Sequence, residues 1–440
     1  MSKLNRFARN EEGNILITFA LAATVVIGFA GLATEVASWY ATKRAMQNAA
    51  DEGAQGAIVS LKLNQPGSST FDGYAQKEAK SATAHQGFAD GANNASVTVN
   101  IPPLTGSHTG ATWNHKTVEV IVTQPKELLF ASLFMSSGPT ITARAVASVV
   151  PGSGDCLLAM NATLSQAFAV VGNASVNVAC GIAVDSNASD ALYTQGNASL
   201  QTAASLTVNG NMSLGHNGVT AGSQDVGNGT TIADPYASRL FPSLYPGCSI
   251  CTSVSKALLA PLSATSGTFS GGGVFTNGLT VSGTLTLNSG VYYIDQGDLT
   301  VKNATLVTSN ATIILTSSVS GNSSGNFVVD ATGVVNFTAP TSGLTQGIAV
   351  MGDRSAPFCN STGKKACSGM QSNPTVTIVG AMYFPKTTFF MQGTPTWSST
   401  ACTQLIADNF WLQGNPTLSD TNCPGAGATD FGPSTVAMVE

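Results

Sequence analysis

The sequence predicts one apolar N-terminal transmembrane helix, then a small α+β domain, then a large all-β domain. Three observations carry that reading. Residues 14–34 contain no charged side chain. From Pro151 onward only 20 of 290 residues are charged, 13 acidic and 7 basic. In that same region short β-branched runs recur at spacings of 20 and 24 residues, separated by Gly, Asn and Ser.

Residues 1–13 form a short polar tail carrying Lys3, Arg6 and Arg9. The apolar run 14–34 follows, and at about 1.5 Å per residue it crosses a hydrocarbon core of about 30 Å. Positive residues stay on the cytoplasmic side, so the N-terminus is inside and the bulk of the chain lies beyond the membrane. Trp39 and Tyr40 then fall where amphipathic rings favour the headgroups. The competing reading is a cleaved secretory signal, with Ala30-Gly31-Leu32-Ala33 as its small-residue site. Such signals have apolar regions of about 7–15 residues, and this run is longer. Within the span Ala20, Thr24 and Gly28 recur every four residues, a stripe that lets a second transmembrane helix approach closely.

Residues 35–60 continue as helix, with good helix formers and no Pro before Pro66. Ala49, Ala50, Gly53, Ala54, Gly56 and Ala57 make this stretch small-sided. Residues 61–150 read as the α+β domain: a helix over 71–88, strands over 96–101, 117–123 and 140–150, and a short helix over 126–135. Val118, Val120 and Val122 alternate and so share one strand face. The order, a helix followed by meandering strands, is the plan of pilin-like proteins.

Pro151-Gly-Ser-Gly154 reads as a linker. Residues 151–440 beyond it carry internal repeats. Gly172-Asn-Ala-Ser-Val176 returns 24 residues on as Gly196-Asn-Ala-Ser-Leu200, and the run starting at Leu279 returns 20 residues on at Leu299. Units of that length suit the coils of a parallel β-helix, each stacking its strands on the next with Val, Ile and Leu inside. Asn suits the turns because it tolerates the left-handed conformation. The alternative is a β-sandwich, which requires hairpins and antiparallel neighbours.

All eight cysteines follow the span: Cys156, Cys180, Cys248, Cys251, Cys359, Cys367, Cys402 and Cys423. An even count outside the membrane points to disulfides. The spacing suggests local pairs, 156–180, 248–251, 359–367 and 402–423, although eight cysteines allow 105 pairings. A redox reading of Cys248-Ser-Ile-Cys251 would need a helix N-terminus, and the motif instead follows Tyr-Pro-Gly.

Catalytic chemistry has little foothold. A net charge of −5 supplies no basic field for nucleic acid. The four histidines, His85, His108, His115 and His216, form no zinc-type pair or nucleophile triad. Asp295 and Asp298 are three apart and suit either paired glycosidase carboxylates or turn caps. Asp90-Gly-Ala-Asn-Asn94 is a weak calcium loop. No cofactor, metal or catalytic residue is expected.

Residues 13–57, GNILITFALAATVVIGFAGLATEVASWYATKRAMQNAADEGAQGA, resemble the N-terminal signature of TadE/TadG-like proteins of Tad (Flp) pilus assembly. The resemblance rests on Gly13, Phe19-Ala20-Leu21, Glu35, Tyr40, Arg44 and Gln47-Asn48-Ala49-Ala50-Asp51. Gly380-Ala381-Met382-Tyr383-Phe384-Pro385 is similar to a run in the C-terminal part of TadG-like chains. Thr18 stands where TadE-like pseudopilins carry Glu, which places the chain closer to TadG. Many TadG-like proteins hold a von Willebrand A domain with an Asp-x-Ser-x-Ser metal motif. Asp185-Ser-Asn-Ala-Ser189 has Asn at the middle position, so no such domain is recognisable. The resemblance implies a non-catalytic protein anchored in a bacterial inner membrane. It would act in the periplasm, contacting lipid and other pilus-assembly proteins or pilins. A β-helical carbohydrate-binding or carbohydrate-active surface protein is the alternative expectation.

Overall fold

A computed structural model describes residues 11–63, 72–110, 113, 115–150, 154–357, 367–397, 402–415, 417–418 and 426–440. Most of the polar tail, residues 1–10, lies outside the described residues, as do Pro66 and the first three linker residues. The chain divides into two compact units, Met1–Val150 with Thr435–Glu440, and Pro151–Ser434.

In the first unit, α1 (Glu11–Leu63) is one uninterrupted helix, so the apolar run 14–34 and the segment 35–60 share a single axis. Its surroundings change along its length. Phe19, Leu21, Val25, Val26, Ile27 and Phe29 are exposed, whereas Met46, Ala49, Ala50, Ala54, Ala57, Ile58 and Leu61 are buried. The buried half packs on α2 (Asp72–His85) and on the sheet formed by β1 (Ser96–Asn100), β2 (Thr117–Pro125) and β3 (Thr140–Val150). A Cβ added at Gly53 would lie 2.9 Å from Thr83 Cγ2 and 3.2 Å from the Ala79 carbonyl oxygen. The missing side chain is therefore what allows α1 and α2 to approach here. Val118, Val120 and Val122 are fully buried beneath the helix.

The sheet is antiparallel, and its fourth strand is the C-terminal segment Thr435–Met438, paired with β3. By composition alone residues 435–440 fall in the β-rich domain. Composition gives no warning of the return, because a four-residue strand of this kind suits either unit and only register assigns it. The expected helix at 126–135 is reduced to one 3-10 turn, Phe130–Leu133. The backbone N–H groups of Leu129 and Ala131 donate to the Glu35 carboxylate and are not available to carbonyls four residues back.

The second unit is all-β, and every described strand pairing in it is parallel. Both sequence repeats are stacked neighbours, for Leu279 pairs with Leu299 and Ser175 with Ser199. Columns of buried side chains run through the stack. Leu285 lies beside Leu306, Leu306 beside Val335, and Val335 beside Val376. The antiparallel neighbours that a sandwich requires do not occur among the described strands of this unit.

The order of stacking is not the order of the chain. Thr403–Gly414 pairs on one side with Thr375–Gly393, and on the other with Asp155–Ala159 and Phe168–Gly172. The first strands of the unit therefore lie beyond its last long one. They continue through Gly181–Val184 and Ser199–Val208 to an edge at Val219–Val226. The far end holds Pro261–Leu262 and Gly267–Ser270. Residues 227–260 make the return. Ile232, Tyr236, Phe241 and Leu244 pack against Leu158, Ile406, Tyr383, Ile348, Ile314 and Tyr293 from successive rungs.

Polar contacts fasten this return segment. Asp185 accepts from Ile232 N at 2.7 Å, Tyr383 Oη donates to Asp234 at 2.7 Å, and Lys256 Nζ lies 2.6 Å from Asp295. Asp353 accepts from the Ser243 hydroxyl and, at 2.6 Å, from Thr316.

Candidate membrane-proximal site

α1 contains a stretch long and apolar enough to cross a membrane, with a mean hydropathy of 1.9 over its most apolar window. Along it the Thr24 hydroxyl donates to the Ala20 carbonyl at 2.7 Å, satisfying itself within the helix. Nothing lies within 4 Å of a Cβ built on Gly28. The stripe of Ala20, Thr24 and Gly28 thus meets no other described part of the chain. The small residues that do support close packing inside the unit sit further along, at Gly53 and at Gly31.

Gly31 faces an aromatic ring. An added Cβ there would fall 2.6 Å from Phe130 Cδ1 and 2.7 Å from Cγ. One helical turn on, Glu35 is buried, at 6% exposure. Its Oε1 accepts the Leu129 N–H at 2.9 Å and its Oε2 accepts the Ala131 N–H at 2.7 Å. The Leu129 amide, with those of Ala131 and Phe130, holds the Glu35 carboxyl below its ordinary value. Gly31 and Glu35 therefore form a two-point socket, a flat patch for a ring and a charged acceptor for backbone donors. The loop it holds exposes Leu129 at 74% and Phe134 at 73%, with Phe130 and Met135 partly exposed. In the sequence Glu35 stands out as the charge that ends the apolar run and through the resemblance, whereas Phe130 does not stand out. The sole signal was the apolar cluster Leu128-Leu129-Phe130 read as a helix.

Trp39 is half-buried against the core of this unit, and Tyr40 is exposed. Further from the apolar end, Arg144 joins Glu119 and Glu440, each at 2.6 Å, tying β3 to β2 and to the C-terminal residue.

In the second unit Cys156 is bonded to Cys180 and Cys248 to Cys251. Cys367 and Cys402 are also disulfide-bonded. Cys359 and Cys423 lie outside the described residues. Asp295 accepts from Ser318 N at 2.7 Å and pairs with Lys256, while Asp298 accepts from Asn326 N at 2.7 Å. Both carboxylates thus cap turns. An open groove of about 390 Å³ on this unit is lined by Pro242, Val291, Tyr293, Asn310 and Leu344, among others, and by neither Asp. Asp90 is held by Lys80 and the Val97 amide. Among the described residues no three His, Cys, Asp or Glu side chains gather into a metal-binding group.

The segment that builds the socket's helix is the one that matches a known family. Residues 13–59 match the Tad family model, "Putative Flp pilus-assembly TadE/G-like". The matched stretch includes Ala20, Thr24, Gly28, Gly31 and Glu35, and ends where α1 is packed on its sheet. No curated protein and no solved structure matches the chain. The Tad-like segment thus ties the apolar helix to Flp pilus assembly, and with it, in general terms, to other pilus components.

Proposed function

We propose that this protein is a membrane-anchored, non-catalytic component of Tad/Flp pilus assembly that acts in the periplasm through protein–protein contacts. The observation that carries the reading is the Tad-like match over residues 13–59, coinciding with a helix whose apolar stretch is largely exposed over residues 18–30. The basic residues Lys3, Arg6 and Arg9 before the span favour an inner-membrane orientation with the N-terminus in the cytoplasm. The first unit, a long helix laid on an antiparallel sheet, has a pilin-like plan. The second is read as a parallel β-helix, on the strength of its parallel ladders and its repeats of 20 and 24 residues.

Absence of chemistry is part of the proposal. The acidic residues that suit glycoside hydrolysis are engaged in turn capping, which favours a scaffold over an enzyme. Such a scaffold offers a large polar, weakly charged surface to pilins, pseudopilins or outer-membrane parts. The test is deletion and complementation in a Tad-piliated bacterium, with detergent co-purification from membranes. Loss of surface pili together with recovery of pilus-assembly proteins supports the proposal. Normal piliation without the protein, or recovery of the chain alone from membranes, overturns it.

A further inference from the structure

We propose that the loop 126–138 is a second membrane-seated element, whose apolar side chains enter the outer leaflet beside the point where the span leaves it. The proposal rests on the anchoring reading above and adds a lipid contact in the folded part of the chain.

Phe130 lies against Gly31, which is three residues, about 5 Å along the axis, before the end of the charge-free run. Any bilayer that accommodates residues 14–34 therefore reaches this ring. Leu129 and Phe134 are about three-quarters exposed, and Phe130 and Met135 nearly half exposed, within a few residues of one another. Apolar groups so grouped gain by leaving water, and lipid is the apolar phase continuous with the span they abut.

Irregular backbone does not lie exposed in the hydrocarbon region, so a seated loop keeps its backbone at the interface with its polar groups met inside the protein while its apolar side chains reach inward. Glu35 takes the amides of Leu129 and Ala131. The Ala131 carbonyl takes those of Phe134 and Met135 at 2.9 and 2.8 Å. The Ser132 hydroxyl turns back to the Leu129 carbonyl. Lys126 N donates to the Pro139 carbonyl at 3.0 Å and closes the base of the loop. Polar residues, Lys126 and Glu127 on one side and Ser136 and Ser137 on the other, flank the apolar tip, as an interfacial element requires.

The test uses the full chain in vesicles of phosphatidylethanolamine and phosphatidylglycerol. An encoded fluorescent amino acid replaces Ile27, Phe134 or Leu258 in turn, and quenchers are carried either on lipid or in water. Leu258 is 86% exposed in the other unit and reports water. Lipid quenching at Phe134 is expected to reach about half or more of that at Ile27, as for groups seated about 5–10 Å deep. Iodide should quench Leu258 far more strongly than Phe134. If Ile27 is lipid-quenched and Phe134 responds to iodide like Leu258, the loop proposal fails and the span stands. Shielding of Phe134 from both quenchers identifies a protein contact and also overturns the proposal. If Ile27 itself escapes lipid quenching, the anchoring reading fails and takes this proposal with it.

Discussion

Leu157 and Leu405 are register partners in adjacent parallel strands, although they come from the first and last long strands of the second unit. The seam carries two short runs of parallel register, Leu405–Ala407 on Leu157–Ala159 and Phe410–Leu412 on Phe168–Val170. Phe410 pairs with Phe168 a few residues on, their rings 5.3 Å apart. Stack order is thus decided by which ends match, and residues 227–260 are the connection that the mismatch between chain order and stack order demands.

That relationship predicts tolerance to rewiring. Asp155 N donates to the Phe431 carbonyl at 3.1 Å, so the two ends of the unit lie together. A circular permutant of Pro151–Ser434 that joins these ends through a short linker and opens between Asn228 and Gly229 keeps every described rung. It should fold with the same far-ultraviolet spectrum and form the Cys156–Cys180 bond. A permutant that stays unfolded would show that chain order matters more than the seam.

The Cys156–Cys180 bond joins residues 24 apart among the first strands after the seam. Closing a loop of that length restricts the unfolded chain by about 3.5 kcal/mol in the chain-entropy picture. Replacing both cysteines by alanine should destabilise the second unit by a corresponding amount in denaturant titrations, with a steeper slope because the unlinked unfolded chain exposes more surface. A loss well below 1 kcal/mol would mean that packing of Leu157 and Ile182 fixes these strands without the bond.

Beside it, Asp155 is buried, and burial pushes its carboxyl up to about 7. One oxygen accepts from the Ser205 hydroxyl at 2.7 Å, and the other is buried with no hydrogen-bond partner among the described residues. The folded-state value is raised above the ordinary 3.8, so the native form holds its proton where the unfolded chain releases it. Its stabilising contribution is full below about 3.8 and is lost as pH rises towards 7. Asp155→Asn removes this dependence. The variant's stability relative to the parent should climb between those two values and then level, by about 4 kcal/mol at most. Thermal melts at four or five pH values would measure this, and a flat difference would refute it.

Much of this architecture is legible in the sequence, and the parts that are not share one cause. The span is written in composition alone, and the repeats at Leu279 and Leu299 are written as self-similarity, so both can be read locally. The alternation of Val118, Val120 and Val122 likewise reports burial directly. The seam between Leu157 and Leu405, the return of Thr435 to pair with Val150, and the socket for Phe130 each join residues far apart in the chain. Nothing in the local pattern encodes which distant partner wins. At 126–135 local preference even pointed the wrong way, since apolar helix formers became a loop once Glu35 had captured their amides.

The Glu35 socket has its own pH signature. Backbone donors lower the carboxyl from its ordinary 4.5, so the contact is complete above that value and is lost as pH falls through the lowered one. The protection factors of the Leu129 and Ala131 amides, taken relative to the intrinsic exchange rate at each pH, should therefore be high at neutral pH and fall on acidification. Glu35→Gln should make both amides fast at neutral pH while α1 and the sheet keep their protection. Unchanged protection in the variant would show that Phe130, and not the carboxylate, holds the loop.

Gly28 and Gly31 lie one turn apart on α1 and should respond in opposite ways to a larger side chain. At Gly31 a Cβ falls 2.6 Å from the Phe130 ring, so Gly31→Leu must expel the ring. The expected outcome is rapid exchange at Leu129 and Ala131 with membrane insertion intact, since Leu is favoured in the bilayer. At Gly28 nothing stands within 4 Å, so Gly28→Leu should leave the folding and exchange of the isolated chain as they were. If Ala20, Thr24 and Gly28 form a face for another transmembrane helix, the same substitution should still reduce co-purification of membrane partners and the yield of pili, because backbones can no longer approach. Full co-purification and piliation with Gly28→Leu would leave that stripe facing lipid. The partners would then have to be met by the units outside the span.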